Sequence, residues 1–162
     1  MADKTKILSG AATLIIDGES IGYTRDGLGV TKGIEVREIQ VDQEDVAVYT
    51  KVTGQTLEIS TTLVEITLDN IKIAGGEAAT VTSNSLIIGQ KTDSPIEFEL
   101  EFYGKRMDGK YIKYTVPKAQ VTTSGESRFS KDGEFLLPVT FKACYDNTLG
   151  GLAKVEELDL IS

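Results

Sequence analysis

A period of two in the apolar residues is the feature that most limits what this chain can become. It is cleanest at Ile96, Phe98, Leu100 and Phe102, which alternate with Glu97, Glu99 and Glu101. Successive side chains on a strand point to opposite faces, so this pattern gives one face to a core and the other to water. A helix would scatter the same residues round its circumference. The alternation recurs at Leu57, Ile59, Thr61 and Leu63 against Glu58, Ser60 and Thr62, and at Ile34 and Val36 against Glu35 and Arg37. A mainly β, antiparallel chain follows.

Turn residues punctuate the runs. A short strand is expected over Ala12–Ile16, a tight turn at Asp17-Gly18 and a return over Ser20–Thr24. Arg25-Asp26-Gly27-Leu28-Gly29 reads as a glycine-punctuated loop. A longer strand is expected over Ile34–Val41, with a bulge where the apolar phase slips at Glu38-Ile39. Asp42-Gln43-Glu44-Asp45 then forms an acidic hairpin tip, and the chain returns through Val46–Val52. Asp108-Gly109 joins the strands Ile96–Tyr103 and Tyr111–Val121, and Lys131-Asp132-Gly133 precedes a last strand over Glu134–Ala143. One helix interrupts them. Thr67 is its N-cap, Asp69 sits in the first turn, Leu68 and Ile71 share a face, and Gly75 supplies a left-handed C-cap. The expected architecture is one α+β domain spanning residues 1–162, an antiparallel β-sandwich or partial barrel with one short helix.

Composition narrows the chemistry. The chain has no histidine, which removes Ser-His-Asp and Cys-His catalysis and the commonest zinc ligand. Its 17 basic and 25 acidic residues give a net charge of −8, the wrong sign for gripping a phosphate backbone. No apolar run approaches the length of a membrane-spanning helix, and Met1-Ala2-Asp3-Lys4 lacks the apolar block of a signal peptide, so folding in the cytoplasm is expected. Glu97, Glu99 and Glu101 lie about 6.5–7 Å apart by strand rise. A glycosidase could use two such carboxylates, but it also wants aromatic platforms, and the chain has no tryptophan. A solvated strand face, or the lining of a shared acidic cavity, explains the stripe without catalysis. Asp42, Glu44 and Asp45 lack the full spacing and the glycine of a calcium loop, and Gly27-Leu28-Gly29 does not complete a nucleotide-binding glycine motif. Cys144, the one cysteine, reads as a small core residue. No catalytic residue, metal site or cofactor is expected. Proline falls within strands only at Pro117 and Pro138, so the strands Gln55–Leu63 and Ile96–Tyr103 look unguarded against pairing with further copies around a closed axis.

The order of motifs resembles that of the major tail tube proteins of tailed bacteriophages and related phage-tail-like particles. The resemblance runs over about residues 8 to 156, through GESIGYTRDGLG, TGQTLEISTTLVEITLDNI, FYGKRMDGKYIKYTVPKAQV, SKDGEFLLPVTFKACYD and NTLGGLAKV. It implies six-fold rings stacked into a hollow tube, each copy adding strands to a shared inner β-barrel. On that reading Glu35, Arg37, Glu58, Ser60, Thr62, Glu97, Glu99, Glu101, Lys113 and Thr115 face an acidic lumen, through which DNA passes without specific binding. Leu57, Ile59, Phe98, Leu100 and Phe102 pack the core. Val41, Asp42, Gln43, Glu44, Asp45, Val46 and Ala47 form a loop reaching the adjacent ring, and Thr67, Leu68, Asp69, Asn70 and Ile71 lie at a subunit boundary. Met1–Leu8 and Glu156–Ser162 join the ring contacts. The resemblance also implies a tail-tip or baseplate initiator, a length-measuring protein and a tail terminator as partners, with a sheath protein in the case of a contractile tail, and a virion tail assembled in the host cytoplasm. The segment Gly76–Gly89 departs from the family pattern and reads as a loop-strand insert. A stand-alone sandwich for adhesion or carbohydrate binding is the alternative, and an enzyme stands third.

Overall fold

The alternating runs close on one another as a single antiparallel sheet of eight strands, curled into a half-barrel. The computed structural model describes residues 2–8, 10–22, 24–43, 46 and 49–161, with only the backbone of residues 26, 123 and 124. In chain order the elements are β1 (Thr13–Ile16), β2 (Glu19–Ser20), β3 (Thr24–Ile39), β4 (Tyr49–Leu63), α1 (Leu68–Gly75), β5 (Glu97–Lys105), β6 (Tyr111–Ser124), β7 (Leu137–Ala143) and β8 (Lys154–Leu158). The strands lie in the order β2-β1-β5-β6-β7-β4-β3. β6 pairs with β8 along Tyr111–Thr115 and with β7 along Ala119–Ser124, so the sheet forks at its middle. Of the sandwich and the partial barrel, the partial barrel forms. The curl of one sheet brings its own apolar face together, which replaces a second layer.

That face carries Leu14, Ile16, Leu57, Ile59, Leu63, Phe98, Leu100, Phe102, Val116, Val139 and Phe141, all buried. Phe98 meets Phe141 edge to face at 6.2 Å, and Phe102 stacks on Tyr114 at 4.8 Å. Helix α1 lies against it, with Ala74 buried and Ile71 and Ile73 packed on the core. Eight residues are too few to hold a helix alone, so this packing keeps it formed. Thr67 caps its start, the side chain accepting from the Asn70 amide at 3.1 Å. The helix runs through Gly75, and Gly76 at φ +64° supplies the left-handed C-cap, one residue later than expected. Its buried positions are Asn70 and Ala74, and Leu68 stays outside the core cluster. Leu68 and Ile71 are both half-buried, and of the two Ile71 packs on the core.

Other differences have local causes. Asp17 and Gly18 form the tight turn, both at positive φ, but the return strand β2 is only two residues long. The expected loop at 25–29 is part of β3, because its glycines absorb a register shift between Arg25 and Gly29 without leaving the ladder. The bulge expected at Glu38-Ile39 falls instead on β4 at Thr53, opposite the Glu35/Val36 step. β7 begins at Leu137, not Glu134, and β8 was not foreseen. In Gly76–Gly89 the structure forms a bridge-closed turn at Thr82 and Ser85 with no named strand. The strands expected to be unguarded, β4 and β5, each have neighbours on both sides, and the long free edge is β3.

Candidate functional site

Cross-strand partners in an antiparallel ladder share a face, so the register shows which polar residues stand together. One row runs Glu97 to Gln120 to Lys142 to Glu58 to Thr31 across β5, β6, β7, β4 and β3. Ser60 lies opposite Thr140 and Gly29, and Thr62 opposite Pro138 and Arg25. Glu101 pairs with Thr115, and Lys113 with Tyr103. Glu35 is opposite Gly54 and Arg37 is opposite Lys51, on the same side as Glu58. Glu35, Arg37, Glu58, Ser60, Thr62, Glu97, Glu99, Glu101, Lys113 and Thr115 therefore share the face turned away from the core. Strand alternation alone produces this gathering, since every second residue of each strand is committed to the apolar side.

The face is mixed in charge. The same register places Lys51, Lys142 and Lys154 among the carboxylates, and none of these cations was singled out in the sequence. Acid is concentrated where β5 carries Glu97, Glu99 and Glu101 in succession. Lys113 reaches Glu101 at 3.4 Å, with both side chains mostly covered. Glu99 sits where a β6 bulge at Pro117 and Lys118 interrupts the ladder, and its amide donates to the Asp17 carboxylate at 2.8 Å.

Partial burial, followed by the neighbouring Glu101 and Asp17 carboxyls, pushes the Glu99 carboxyl above its ordinary value, and Lys113 opposes them. The folded chain thus holds this proton more tightly than the unfolded chain. The associated stability is present at low pH and is lost as pH rises from the ordinary carboxylate value through the raised one. Glu99→Gln should therefore raise the denaturant midpoint at about pH 7 and give no advantage at about pH 3, where both side chains are neutral. Urea melts at the two pH values check this, and an equal gain at both would show that packing, not charge, is responsible.

The long hairpin β3–β4 leaves the core after Leu57. Its arms, Gly33–Ile39 and Tyr49–Thr56, extend about 20 Å by strand rise, mostly exposed on both faces. Val41, Asp42, Gln43 and Val46 lie at its end, exposed, whereas Glu44, Asp45 and Ala47 lie outside the described residues. At the helix, Thr67 and Asp69 are exposed, Leu68 and Ile71 half-buried, and Asn70 buried. Asn70 Nδ2 donates to the Ile21 carbonyl at 3.0 Å and to the Glu65 carbonyl at 2.9 Å. This tie between the β2 end and the helix start is a structural role that the sequence did not reveal. An asparagine inside a helix, three residues after its N-cap, is the only trace of it.

The termini are organised by the β5–β6 turn. The Asp108 and Met107 amides donate to the Thr5 and Ile7 carbonyls. Arg106 bonds Asp108 at 2.6 Å and Glu157 at 3.0 Å, and Lys110 reaches Glu157 at 3.1 Å. Asp108 and Glu157 are held below the ordinary carboxylate range, first by their hydrogen bonds to Arg106 and Lys110 respectively. Cys144 is half-buried at the end of β7 rather than inside the core, and burial pushes its thiol up, away from the reactive thiolate. Among the described residues no group of three or more Cys, Asp or Glu is arranged to hold a metal ion.

No family model matches this chain, and no curated protein matches it. Among solved structures, the chain is similar to one in the virion of a native gene transfer agent particle, at 15% identity and a TM-score of 0.46. The alignment covers 89% of this chain and 95% of that one. A likeness of that size says nothing of what this chain does.

Proposed function

We propose that this chain is a non-enzymatic structural protein of a phage-tail-like virion. It forms homo-hexameric rings that stack into a hollow tube, with the polar face of the sheet lining the bore. The open half-barrel is the observation that carries this reading. β3 offers a 16-residue edge without proline at one end of the sheet, and β2 ends the other. Such an edge is a template for pairing. Because the two ends differ, joining one to the other is a head-to-tail contact, which closes into a ring when the rotation divides evenly.

In the ring, the Glu97–Glu99–Glu101 stripe of every copy forms an acidic collar around the bore. Low-dielectric walls focus its field, so DNA is repelled from the wall and slides without binding. Arg37, Lys51, Lys113 and Lys142 on the same face reduce that charge elsewhere, so the repulsion belongs to the collar and not to the whole bore. The β3–β4 hairpin reaches the adjacent ring, and α1 lies at the subunit boundary. A tail-tip initiator, a length-measuring protein and a terminator complete the tail, with a sheath protein where the tail is contractile.

Negative-stain electron microscopy over a concentration series is the test. Six-fold rings or hollow tubes are expected. A strictly monomeric species at every concentration, with a tail-tip seed added, would overturn the reading.

A further inference from the structure

We propose that the free edge of β3 pairs with the same edge of a second copy, antiparallel and about a two-fold axis at Val36, giving a dimer of the unassembled chain. The pairing lies on the projecting part of the β3–β4 hairpin, where β3 is the outermost strand of the sheet. A two-stranded ribbon standing clear of its core is marginal in water, and a further strand on its edge is what such a ribbon lacks.

The charges of the ribbon do not balance within one copy. Arg37 lies directly opposite Lys51, and like charges so placed repel. Arg25, Arg106 and Arg128 each hold a carboxylate, but among the described residues neither Arg37 nor Lys51 does. Two residues back on the same face, Glu35 lies opposite Gly54, which has no side chain to meet it. The Glu35 carboxyl rests over that glycine and, among the described residues, holds no cation. One row of the ribbon is thus doubly positive and the next is negative.

Charge selects the register. A two-fold axis normal to the sheet keeps the polar faces of both copies on one side, so it passes between two identical residues that face each other. Centred on Glu35, Arg37 or Glu38, it sets like charges together. Centred on Gly33, Ile34 or Ile39, it leaves Glu35 and Arg37 opposite uncharged residues. Centred on Val36, it brings Glu35 of each copy opposite Arg37 of the other, so the negative row of one ribbon continues the positive row of its neighbour. Opposite charges across a strand pair stabilise it. On the other face the same register lines up Val52 and Val36 with Val36 and Val52 of the second copy. These valines are each more than half exposed in the single chain, and the dimer covers them. The contact needs only a second copy. It occupies the same edge that closes the ring in the tube reading, so the dimer has to open before rings form.

The experiment measures the mass of the full chain in solution, by size-exclusion chromatography with light scattering over a concentration series. A dimer is expected for the unmodified chain. Arg37→Glu sets carboxylates against each other on both sides of the axis and should raise the dimer dissociation constant about tenfold or more. The same change puts a carboxylate opposite Lys51, so thermal melts should show a chain folded at least as stably as before. Glu35→Arg should weaken the dimer in the same way. An equimolar mixture of the two variants should dimerise again, because each arginine then meets a glutamate. A chain that is monomeric up to the onset of rings, or at every concentration, overturns the dimer. A dimer indifferent to Arg37→Glu, or a mixture that does not recover, overturns the pairing at Val36. A dimer that never gives rings or tubes, with a tail-tip seed added, keeps this contact and overturns the tube reading. Tubes without a dimer do the reverse.

Discussion

Replacing Phe141 by alanine is expected to cost about 3–5 kcal/mol of folding stability. The side chain is fully buried, it meets Phe98 edge to face, and the ladder places it between Ile59 and Val121. Truncation would remove the contacts that join β7 to β4, β5 and β6 at once, and the curled sheet cannot collapse onto the hole without changing its curl. A domain of this size has about 5–15 kcal/mol in total, so the loss is a large fraction of it. Lys142→Ala is the internal control. It lies next in sequence but on the opposite face, exposed, and should change stability by no more than about 0.5 kcal/mol. Chemical denaturation of both variants checks the pair, and similar losses from the two would contradict the assignment of faces along β7. The consequence reaches the proposed bore, because Thr140 and Lys142 are aligned with Ser60 and Glu58 only while Phe141 anchors the strand between them.

Asn70 supplies the second large effect. Asn70→Ala should cost about 2–4 kcal/mol, since it removes two hydrogen bonds and leaves the Ile21 and Glu65 carbonyls without their donor. Asn70→Asp is the sharper experiment because it keeps the shape. A carboxylate has no donor and would face two carbonyl oxygens in a buried position, so the variant should be at least as unstable as alanine near neutral pH. Protonation restores one donor. Its folded pKa is then raised, and stability should recover as pH falls through that value. Denaturation of Asn70→Asp at about pH 7 and about pH 4 reads this directly. Wild-type stability at neutral pH would sink the bridging role assigned to Asn70.

Much of the fold was legible because β periodicity is a local signal. The alternation around Ile59 and around Leu100 separated core from surface residue by residue, and the helix N-cap at Thr67 was readable from its side-chain chemistry. Legibility ended where the answer depended on a neighbour. The stretch Arg25–Gly29 looked like a loop because of its glycines, yet pairing with β4 holds it in the sheet as a bulge. β8 is too short and too acidic to announce itself, and pairing with β6 makes it a strand. The free edge was misplaced for the same reason. A strand's pattern records whether its faces are buried, not whether its backbone has a neighbour.

The candidate polar face divides along that line. Which residues of one strand stand together, such as Glu97, Glu99 and Glu101, was determined by sequence, since alternation is imposed by backbone geometry on each strand alone. The lack of histidine likewise limits the chemistry whatever the chain folds into. Which strands lie side by side was decided only by tertiary structure, because register and strand order come from long-range pairing and the closing of a common core. That pairing brought Lys142 between Glu58 and Gln120 and turned an apparently acidic surface into one with a single acidic stripe.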